Sequence, residues 1–222
     1  MSIAVNLQEL RKHIPSHVKL ICVSKFHPES SIIEAYDCGE RVFGENKVQE
    51  LTRKYENLPT DIQWHFIGHL QTNKVKYIVP FVDLIHGIDS VKLLAEVNKQ
   101  AAKVNRKVNC LLQMHIAQEE TKFGFDEKEI SEFLETMNPD DFSYVNICGL
   151  MGMATFTDNK EQTRSEFKNL KRMFDKIKNQ YLSTNHHFTE LSMGMSDDYQ
   201  IAIEEGSTMI RIGTTIFGNR VY

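Results

Sequence analysis

The chain has 222 residues, of which 41% are hydrophobic and 25% are charged, as in ordinary globular proteins. Its formal net charge of −4 argues against a protein built to hold nucleic acid, because no basic excess is present to neutralise phosphates. No apolar run reaches the roughly 18 residues of a membrane span. The four cysteines are widely spaced and predict neither a zinc site nor a disulfide framework, which is typical of a cytoplasmic protein.

The predicted elements begin with the segment MSIAVNLQELRKH, which has the pattern of a short amphipathic helix. Eight short apolar runs rich in Val and Ile follow it and predict strands. They cover residues 18–24, 41–43, 62–67, 82–88, 108–116, 145–150, 187–193 and 209–212. The segments between them have helical spacing, most clearly 91–104 and 161–182, where apolar residues recur every three or four positions.

The repeated alternation of strands and helices predicts the fold class. Parallel neighbouring strands are joined by a crossover, usually a helix, so this alternation indicates a parallel sheet. Eight units in this length most simply close into an α/β TIM-type (β/α)8 barrel, with an extra N-terminal helix and a single domain over residues 1–222. An open doubly wound sheet is the alternative, but no G-x-G-x-x-G turn follows the first strand.

Polar residues collect after the predicted strands, at the end where a barrel carries its chemistry. Lys25 follows the first strand, Ser196 follows the seventh, and Gly213 and Thr214 follow the eighth. The last two loops of a barrel often form a phosphate site, and Ser196 has the residue type and position of a helix N-cap. Either loop alone is also explained by ordinary turn glycines and helix caps.

An ammonium group at the end of a buried strand has two explanations. Lys25 either reaches solvent or an acidic partner, such as Glu45 or Asp89, or it presents an amine whose pKa desolvation lowers, so that it can condense with a carbonyl. An amine and a phosphate site at one barrel mouth fit two ligands, the sugar phosphate of a Schiff-base aldolase and pyridoxal 5′-phosphate (PLP). Lys122, after the fifth strand, is either a second amine at the mouth or a solvated lysine.

Five blocks of the sequence carry a family resemblance. They are VSKFHP at 23–28, FGENKVQE at 43–50, WHFIGHLQTNK at 64–74, GLMGMAT at 149–155 and LSMGMSDDYQIAIEEGSTMIRIGTTIFG at 191–218. These blocks resemble the pyridoxal phosphate homeostasis protein family, single-domain relatives of the alanine racemase barrel. The resemblance implies PLP as the cofactor and a role in intracellular vitamin B6 homeostasis. It implies PLP, other B6 vitamers and PLP-dependent apo-enzymes as the partners to consider.

The resemblance also implies residue roles. Lys25 matches the lysine that forms the Schiff base with the cofactor, and Arg211 matches the arginine that faces the pyridine nitrogen. Four residues match the phosphate loops: Ser192, Ser196, Gly213 and Thr214. Three match residues beside the cofactor ring: Asn46, His65 and Met151. The offset of fifteen residues between Ser196 and Arg211 resembles that in the racemase and favours Ser196 over Ser192 as the main phosphate ligand.

An arginine beside the pyridine nitrogen has a chemical consequence. A permanently charged guanidinium can only donate a hydrogen bond, and its charge opposes protonation of the nitrogen. The cofactor is then a weaker electron sink than it is beside a carboxylate. This arrangement disfavours transamination.

Racemisation needs a second acid or base on the substrate face opposite Lys25, which in alanine racemase is a tyrosine involving a separate β-domain. The sequence ends at Tyr222, shortly after the eighth strand, so we expect no such domain, and this is compatible with a monomer. Three other tyrosines, Tyr36, Tyr77 and Tyr199, fall in predicted helices. We therefore predict a cofactor-binding protein rather than an enzyme.

Two enzymes remain as alternatives to the binding protein. The first is a PLP-dependent amino-acid racemase of narrow scope. The second is a sugar-phosphate aldolase, in which Arg211 would have no purpose, and it is the least favoured of the three functions. No metal is expected, because His65 and His69 have no carboxylate placed to complete a ligand set.

Overall fold

The computed structural model of the protein describes residues 2–118 and 123–219; Lys122 and Tyr222 lie outside these ranges. The strands within them are β1 (Lys19–Val23), β2 (Val42–Glu45), β3 (Gln63–Phe66), β4 (Leu84–Ile88), β5 (Val108–Gln113), β6 (Val145–Met151), β7 (Glu190–Ser192) and β8 (Met209–Ile212). The α-helices there are α1 (Ile3–Arg11), α2 (Glu29–Asp37), α3 (Val48–Asn57), α4 (Val75–Ile78), α5 (Val91–Lys103), α6 (Glu127–Thr136), α7 (Lys160–Gln180), α8 (Tyr199–Glu204) and α9 (Thr214–Phe217). All eight predicted strands are confirmed.

The strands form a closed parallel barrel in the order β1 to β8, which confirms the predicted fold class. Closure joins the two ends of the chain, because β1 pairs with β8 from Lys19↔Met209 to Cys22↔Ile212. The predicted extra helix is α1, whose Asn6 side chain donates a hydrogen bond of 2.9 Å to the carbonyl of Ile216. Among the described helices, none combines the length and the apolar character that crossing a membrane requires.

Two apolar clusters follow from the alternation of side chains along each strand. Inward-facing residues fill the barrel interior: Ile21, Leu84, Leu111, Cys148, Met151 and Met209. Outward-facing residues, such as Cys22 and Phe43, pack against the helices in a larger cluster. The predicted apolar face of α7 is part of that outer cluster, with Phe167, Leu170, Phe174 and Ile177 all buried.

The prediction that Ser196 caps a helix is wrong. Helix α8 begins at Tyr199, and Asp198 is its N-cap residue. The carboxylate of Asp198 instead accepts a hydrogen bond of 2.6 Å from the Met195 amide, which holds residues 195–198 in a turn. The turn delays the helix by two residues and leaves Ser196 on the loop after β7.

We predict that Gly194, at the start of that loop, tolerates no side chain. Its φ of +96° is left-handed, and an added Cβ would lie 2.6 Å from the Cβ of Ala202. Gly39 is a matched control, since its φ is +97° but an added Cβ would meet nothing within 4 Å. Backbone strain alone should make Gly39→Ala cost about 1 kcal/mol of unfolding free energy, whereas Gly194→Ala should cost roughly 2–3 kcal/mol. Equal losses in urea unfolding would contradict the overlap.

Candidate functional site

A cavity of about 270 Å³ opens where the barrel strands end, and it is called the mouth cavity below. Five of the predicted site residues line it: Lys25, Ser196, Arg211, Gly213 and Thr214. Side chains that the sequence analysis did not select complete its walls, among them His27, Asp197 and the apolar Ile67 and Met153. The mouth cavity is near the lower end of the size range of small-molecule sites.

Lys25 reaches the mouth cavity because of the strand alternation in β1. Ile21 faces the barrel interior and Val23 lines the cavity, so Lys25, two residues on, points the same way. The chain then turns sharply at residues 24–27, the Lys25 turn, which a hydrogen bond from the His27 amide to the Ser24 carbonyl closes at 3.1 Å. Lys25 itself is half-buried.

A wider groove of about 940 Å³ lies on the other side of the same turn, and it is called the outer groove below. It is lined by Phe26, Lys47, Glu50 and Arg53 together with His27, Pro28 and Gln49. Neither Lys25 nor Arg211 borders the outer groove, so this groove lacks both the amine and the guanidinium that the sequence predicts for the site. The mouth cavity is therefore the candidate site despite its smaller size.

Arg211 is buried, with 5% of its surface exposed, and its guanidinium is held by two hydrogen bonds. Nη1 donates to Ser192 Oγ at 2.5 Å and Nη2 donates to the Gly152 carbonyl at 3.1 Å. Burial lowers the pKa of Arg211 to about 10, so the group remains charged at neutral pH. An arginine has five donor hydrogens, and the other three are not used in the hydrogen bonds of the described residues.

Ser192 begins a buried chain of hydrogen bonds that we call the histidine chain. Its hydroxyl is 3.0 Å from His86 Nδ1, and His86 Nε2 is 3.0 Å from His65 Nδ1. Since Arg211 can only donate to Ser192 Oγ, the hydroxyl hydrogen is available for His86 Nδ1, and His86 Nε2–H then donates to His65. The opposite direction would leave the Ser192 hydrogen without an acceptor in the described structure. Arg211 thus sets the direction of the chain.

Both histidines of the chain are neutral at physiological pH. Burial lowers the pKa of His65 from 6.5 to about 3, with a smaller contribution from the charge of Lys19. Burial also lowers the pKa of His86 well below its usual value, with the neighbouring His65 and Arg211 acting in the same direction. The hydrogen-bond partners of Arg211 among the described residues are therefore uncharged, and the negative charge that acts on it is the carboxylate of Asp198 on the loop after β7.

The loops that follow β7 and β8 together line one side of the mouth cavity. Ser196 and Thr214 contribute hydroxyls there, which can donate hydrogen bonds to an anion. A Cβ at Gly213 would lie 3.1 Å from the Val23 carbonyl, so glycine lets the β8 loop come close to the end of β1. Asp197 also lines this side and makes it less favourable for anions than hydroxyls and amides alone.

Four predicted site residues do not line the mouth cavity. Met151 and His65 face the barrel interior below it, and Ser192, predicted for the phosphate loops, instead holds Arg211. Asn46 lies at a separate, smaller cavity beside the mouth. There its Oδ1 atom is buried and has no hydrogen-bond partner among the described residues.

His86, which links Ser192 to His65, is a residue of the site that the sequence reasoning did not select. The spacing in the sequence was a usable signal. His86 comes two residues after Leu84 in β4, so both side chains face the same side of the strand, and Leu84 faces the barrel interior. His69, the other histidine considered as a metal ligand, pairs with Asp89 at 2.9 Å. Within residues 2–118 and 123–219, no three His, Cys, Asp or Glu side chains are grouped to hold a metal ion.

We predict that the histidine chain makes stability depend on pH. A folded-state pKa below the unfolded value means that the unfolded chain binds more protons, so stability is full above about pH 6.5 and falls as the pH decreases toward 3. Each buried histidine contributes a slope of about 1.4 kcal/mol per pH unit. Urea unfolding between pH 7.5 and 5 should therefore show a smaller slope for His65→Asn than for the wild type.

The control for this measurement is His187→Asn, which changes an exposed histidine ahead of β7, at the far end of the barrel. It should keep the wild-type slope. A His65→Asn slope equal to that of the wild type would contradict a buried, neutral His65.

Comparison with known proteins gives consistent matches. The family described as “Alanine racemase, N-terminal domain” matches residues 1–221. A pyridoxal phosphate homeostasis protein of Aquifex aeolicus is 42% identical over 205 residues, covering 92% of this chain and 88% of that protein. The protein of the same name from Escherichia coli K12 is 35% identical over 234 residues, covering 99% and 97%.

Solved structures agree with these matches. PipY of Synechococcus elongatus, with PLP bound, is similar at a TM-score of 0.89 with 36% identity, covering 98% of this chain and 100% of that chain. Alanine racemase from Bartonella henselae, with covalently bound pyridoxal phosphate, has a TM-score of 0.73 and 16% identity, covering 98% and 58%. That second likeness is one of fold alone.

Proposed function

Since the chain belongs to the pyridoxal phosphate homeostasis proteins, within the family of the alanine racemase N-terminal domain, we propose that it binds PLP as a Schiff base on Lys25 and acts in vitamin B6 homeostasis in the cytoplasm. The observation that carries the proposal is that Lys25, Arg211, Ser196 and Thr214 line one cavity. The similar PipY structure has PLP bound, which supports the same ligand here.

The residues of the mouth cavity suit this cofactor. When bound, PLP supplies an aldehyde, which condenses with a primary amine with loss of water, and a pyridine ring that withdraws electrons. Lys25 is the amine that lines the cavity. The hydroxyls of Ser196 and Thr214 and the backbone at Gly213 are the donors for the phosphate, which accepts hydrogen bonds from such groups.

Arg211 is assigned to the pyridine nitrogen. Arg211 lines the mouth cavity and has donor hydrogens left for a ligand. A pyridine nitrogen can accept a hydrogen bond from it only while that nitrogen is unprotonated. The histidine chain beneath Arg211 is neutral, so the charge of the guanidinium, which Asp198 compensates only from the side of the β7 loop, opposes protonation of the ring. Such a site holds the cofactor without making it a strong electron sink, which favours binding over catalysis.

Residues below and beside the cavity have supporting roles in this proposal. Ser192, His86 and His65 hold Arg211 in place, and Met151 fills the barrel interior beneath the ring. Asn46 lies at the separate cavity beside the mouth, so its assignment to the cofactor ring rests on the family resemblance alone. The partners proposed are PLP, other B6 vitamers and PLP-dependent apo-enzymes, for a protein of one domain that acts as a monomer.

The direct test is the absorbance of the protein with added PLP. We expect a band at roughly 420 nm, typical of a protonated lysine Schiff base with this cofactor, and borohydride should trap the adduct on Lys25. Lys25→Ala should abolish the band and the adduct. Lys47→Ala, which removes an exposed lysine at the outer groove, should keep both. Absence of a band in the wild-type protein would refute the proposal.

The alternative, an amino-acid racemase of narrow scope, needs a second acid or base at the mouth cavity. No tyrosine of the described residues lines it, but His27 and Asp197 do, so these are the groups on which a racemase would depend. Tyr36 is occupied elsewhere, donating to Asp61 at 2.8 Å, and Tyr77 is 49% exposed on its helix.

The two functions differ in exchange of the amino-acid α-hydrogen. We expect the PLP-loaded protein in deuterium oxide to exchange it no faster than free PLP does, for each of the common amino acids, as followed by proton NMR. Faster exchange that disappears in Lys25→Ala and in His27→Ala would instead establish the racemase.

A further inference from the structure

Behind the Lys25 turn lies a largely buried cluster of charges that does not touch the mouth cavity, although Glu50, with 14% of its side chain exposed, also borders the outer groove. Lys54 of α3 has none of its side chain exposed. Its ammonium group donates to the Ser24 carbonyl at 2.9 Å, to Glu45 Oε1 at 2.7 Å and to Glu50 Oε1 at 2.7 Å. These bonds use all three hydrogens of the ammonium group. We call Glu45, Glu50 and Lys54 the buried triad.

The buried triad holds the Lys25 turn from both sides of Lys25. On one side, Glu45 Oε1 accepts a hydrogen bond of 2.6 Å from the Ser24 hydroxyl, while Lys54 binds the Ser24 carbonyl. On the other side, Glu50 Oε1 accepts a hydrogen bond of 2.8 Å from the Phe26 amide. Both neighbours of Lys25 are therefore held by these three side chains, Ser24 through two hydrogen bonds and Phe26 through one.

The turn has a conformation that needs such support. Phe26 has a φ of +67°, a left-handed conformation that is unusual for an aromatic residue and is kept only where surrounding contacts impose it. The Phe26 amide is the group that Glu50 binds. If Phe26 relaxed to an ordinary conformation, the direction of the preceding residue, Lys25, would change with it.

Stability alone does not explain a buried triad. Ion clusters in protein interiors lose solvation, and apolar side chains of similar size are often as stable or more so. Here the desolvation is visible, since burial raises the pKa of Glu45 despite its contact with Lys54, and Glu45 Oε2 has no partner among the described residues. What the triad supplies that an apolar cluster could not is directional bonds to the backbone of the Lys25 turn.

We propose that Lys54, Glu45 and Glu50 are positioning residues that fix the Lys25 turn and so aim the Lys25 amine into the mouth cavity. The inference rests on the proposed function for its consequence, the rate at which Lys25 captures an aldehyde. Its structural part, the restraint of the turn, is independent of any cofactor.

The test compares Glu50→Ala with Glu50→Gln. The alanine variant removes the acceptor for the Phe26 amide, while glutamine retains a side-chain oxygen at that position and should rescue it. We expect Glu50→Ala to form the roughly 420 nm band at least about 10-fold more slowly than the wild type, and Glu50→Gln to recover most of the rate. Lys171→Met is the matched control, because it breaks another lysine pair four residues apart, with Asp175 on α7.

Two further measurements separate positioning from general damage. Pyridoxine 5′-phosphate keeps the ring and phosphate of PLP but has no aldehyde, so its affinity should be the same in all variants. In the protein without cofactor, deuterium exchange of the Phe26 amide should be at least about 10-fold faster in Glu50→Ala than in the wild type or Lys171→Met. If Glu50→Ala fails to fold, it is replaced by the double variant Lys54→Met with Glu45→Gln. This double variant buries no unpaired full charge at these two positions.

Each outcome decides the inference. Slower capture with unchanged affinity for pyridoxine 5′-phosphate and faster Phe26 exchange supports it. An unchanged capture rate, or equal losses in capture and in pyridoxine 5′-phosphate affinity, overturns it. If the wild-type protein captures no PLP at all, the proposed function fails, and amide exchange alone decides whether the triad restrains the turn.

Discussion

Closure of the barrel between β1 and β8 is the constraint on which the rest of the structure depends. The pairing of Ile21 with Arg211 places residues from opposite ends of the chain on adjacent strands. Lys25 extends from one of these strands, and Gly213 and Thr214 extend from the other. Without this pairing the amine, the guanidinium and the loop hydroxyls would belong to separate parts of an open sheet, and no cavity would collect them.

Strand alternation then sorts the polar side chains into two networks with different chemistry. Inward-facing Arg211 joins the histidine chain, which is neutral and leaves the guanidinium charge directed at the mouth cavity. Outward-facing Ser24 joins the buried triad, where Lys54 is compensated by carboxylates. Since successive residues of a strand point to opposite sides, Ser24 and Lys25 can be neighbours in sequence yet belong to different networks. One network contacts the Lys25 turn, and the other lies beneath the cavity that we propose binds the cofactor.

The parts of the fold that depend on local pattern could be predicted from the sequence. All eight strands and the apolar face of α7 follow from periodicity, and the strand-end rule selected four residues that line one cavity, which the family resemblance completed with Arg211. The depth of a side chain within the barrel could not be predicted, because it depends on register, which is irregular between Ile85 and Ile88. His65 and Ser192 were assigned to the cofactor through the family resemblance, which does not show that these side chains lie in the barrel interior beneath the mouth cavity.

Other features could not be predicted because several side chains compete for one role. Ser196 has the chemistry of a helix cap, but the carboxylate of Asp198 takes the amide of Met195 and delays α8. Lys54 resembles a solvated helix lysine, since only the tertiary structure shows that Glu45 and the Ser24 carbonyl surround it.

The exposure of Lys25 bears on the difference between a binding protein and an enzyme. An enzyme that stabilises reactive intermediates excludes water from its site, whereas the half-buried Lys25 amine at the barrel mouth would leave water access to the Schiff base that we propose. Hydrolysis would make that bond reversible, so positioning of the amine, rather than enclosure of the site, fits the proposal of a protein that holds its cofactor and releases it.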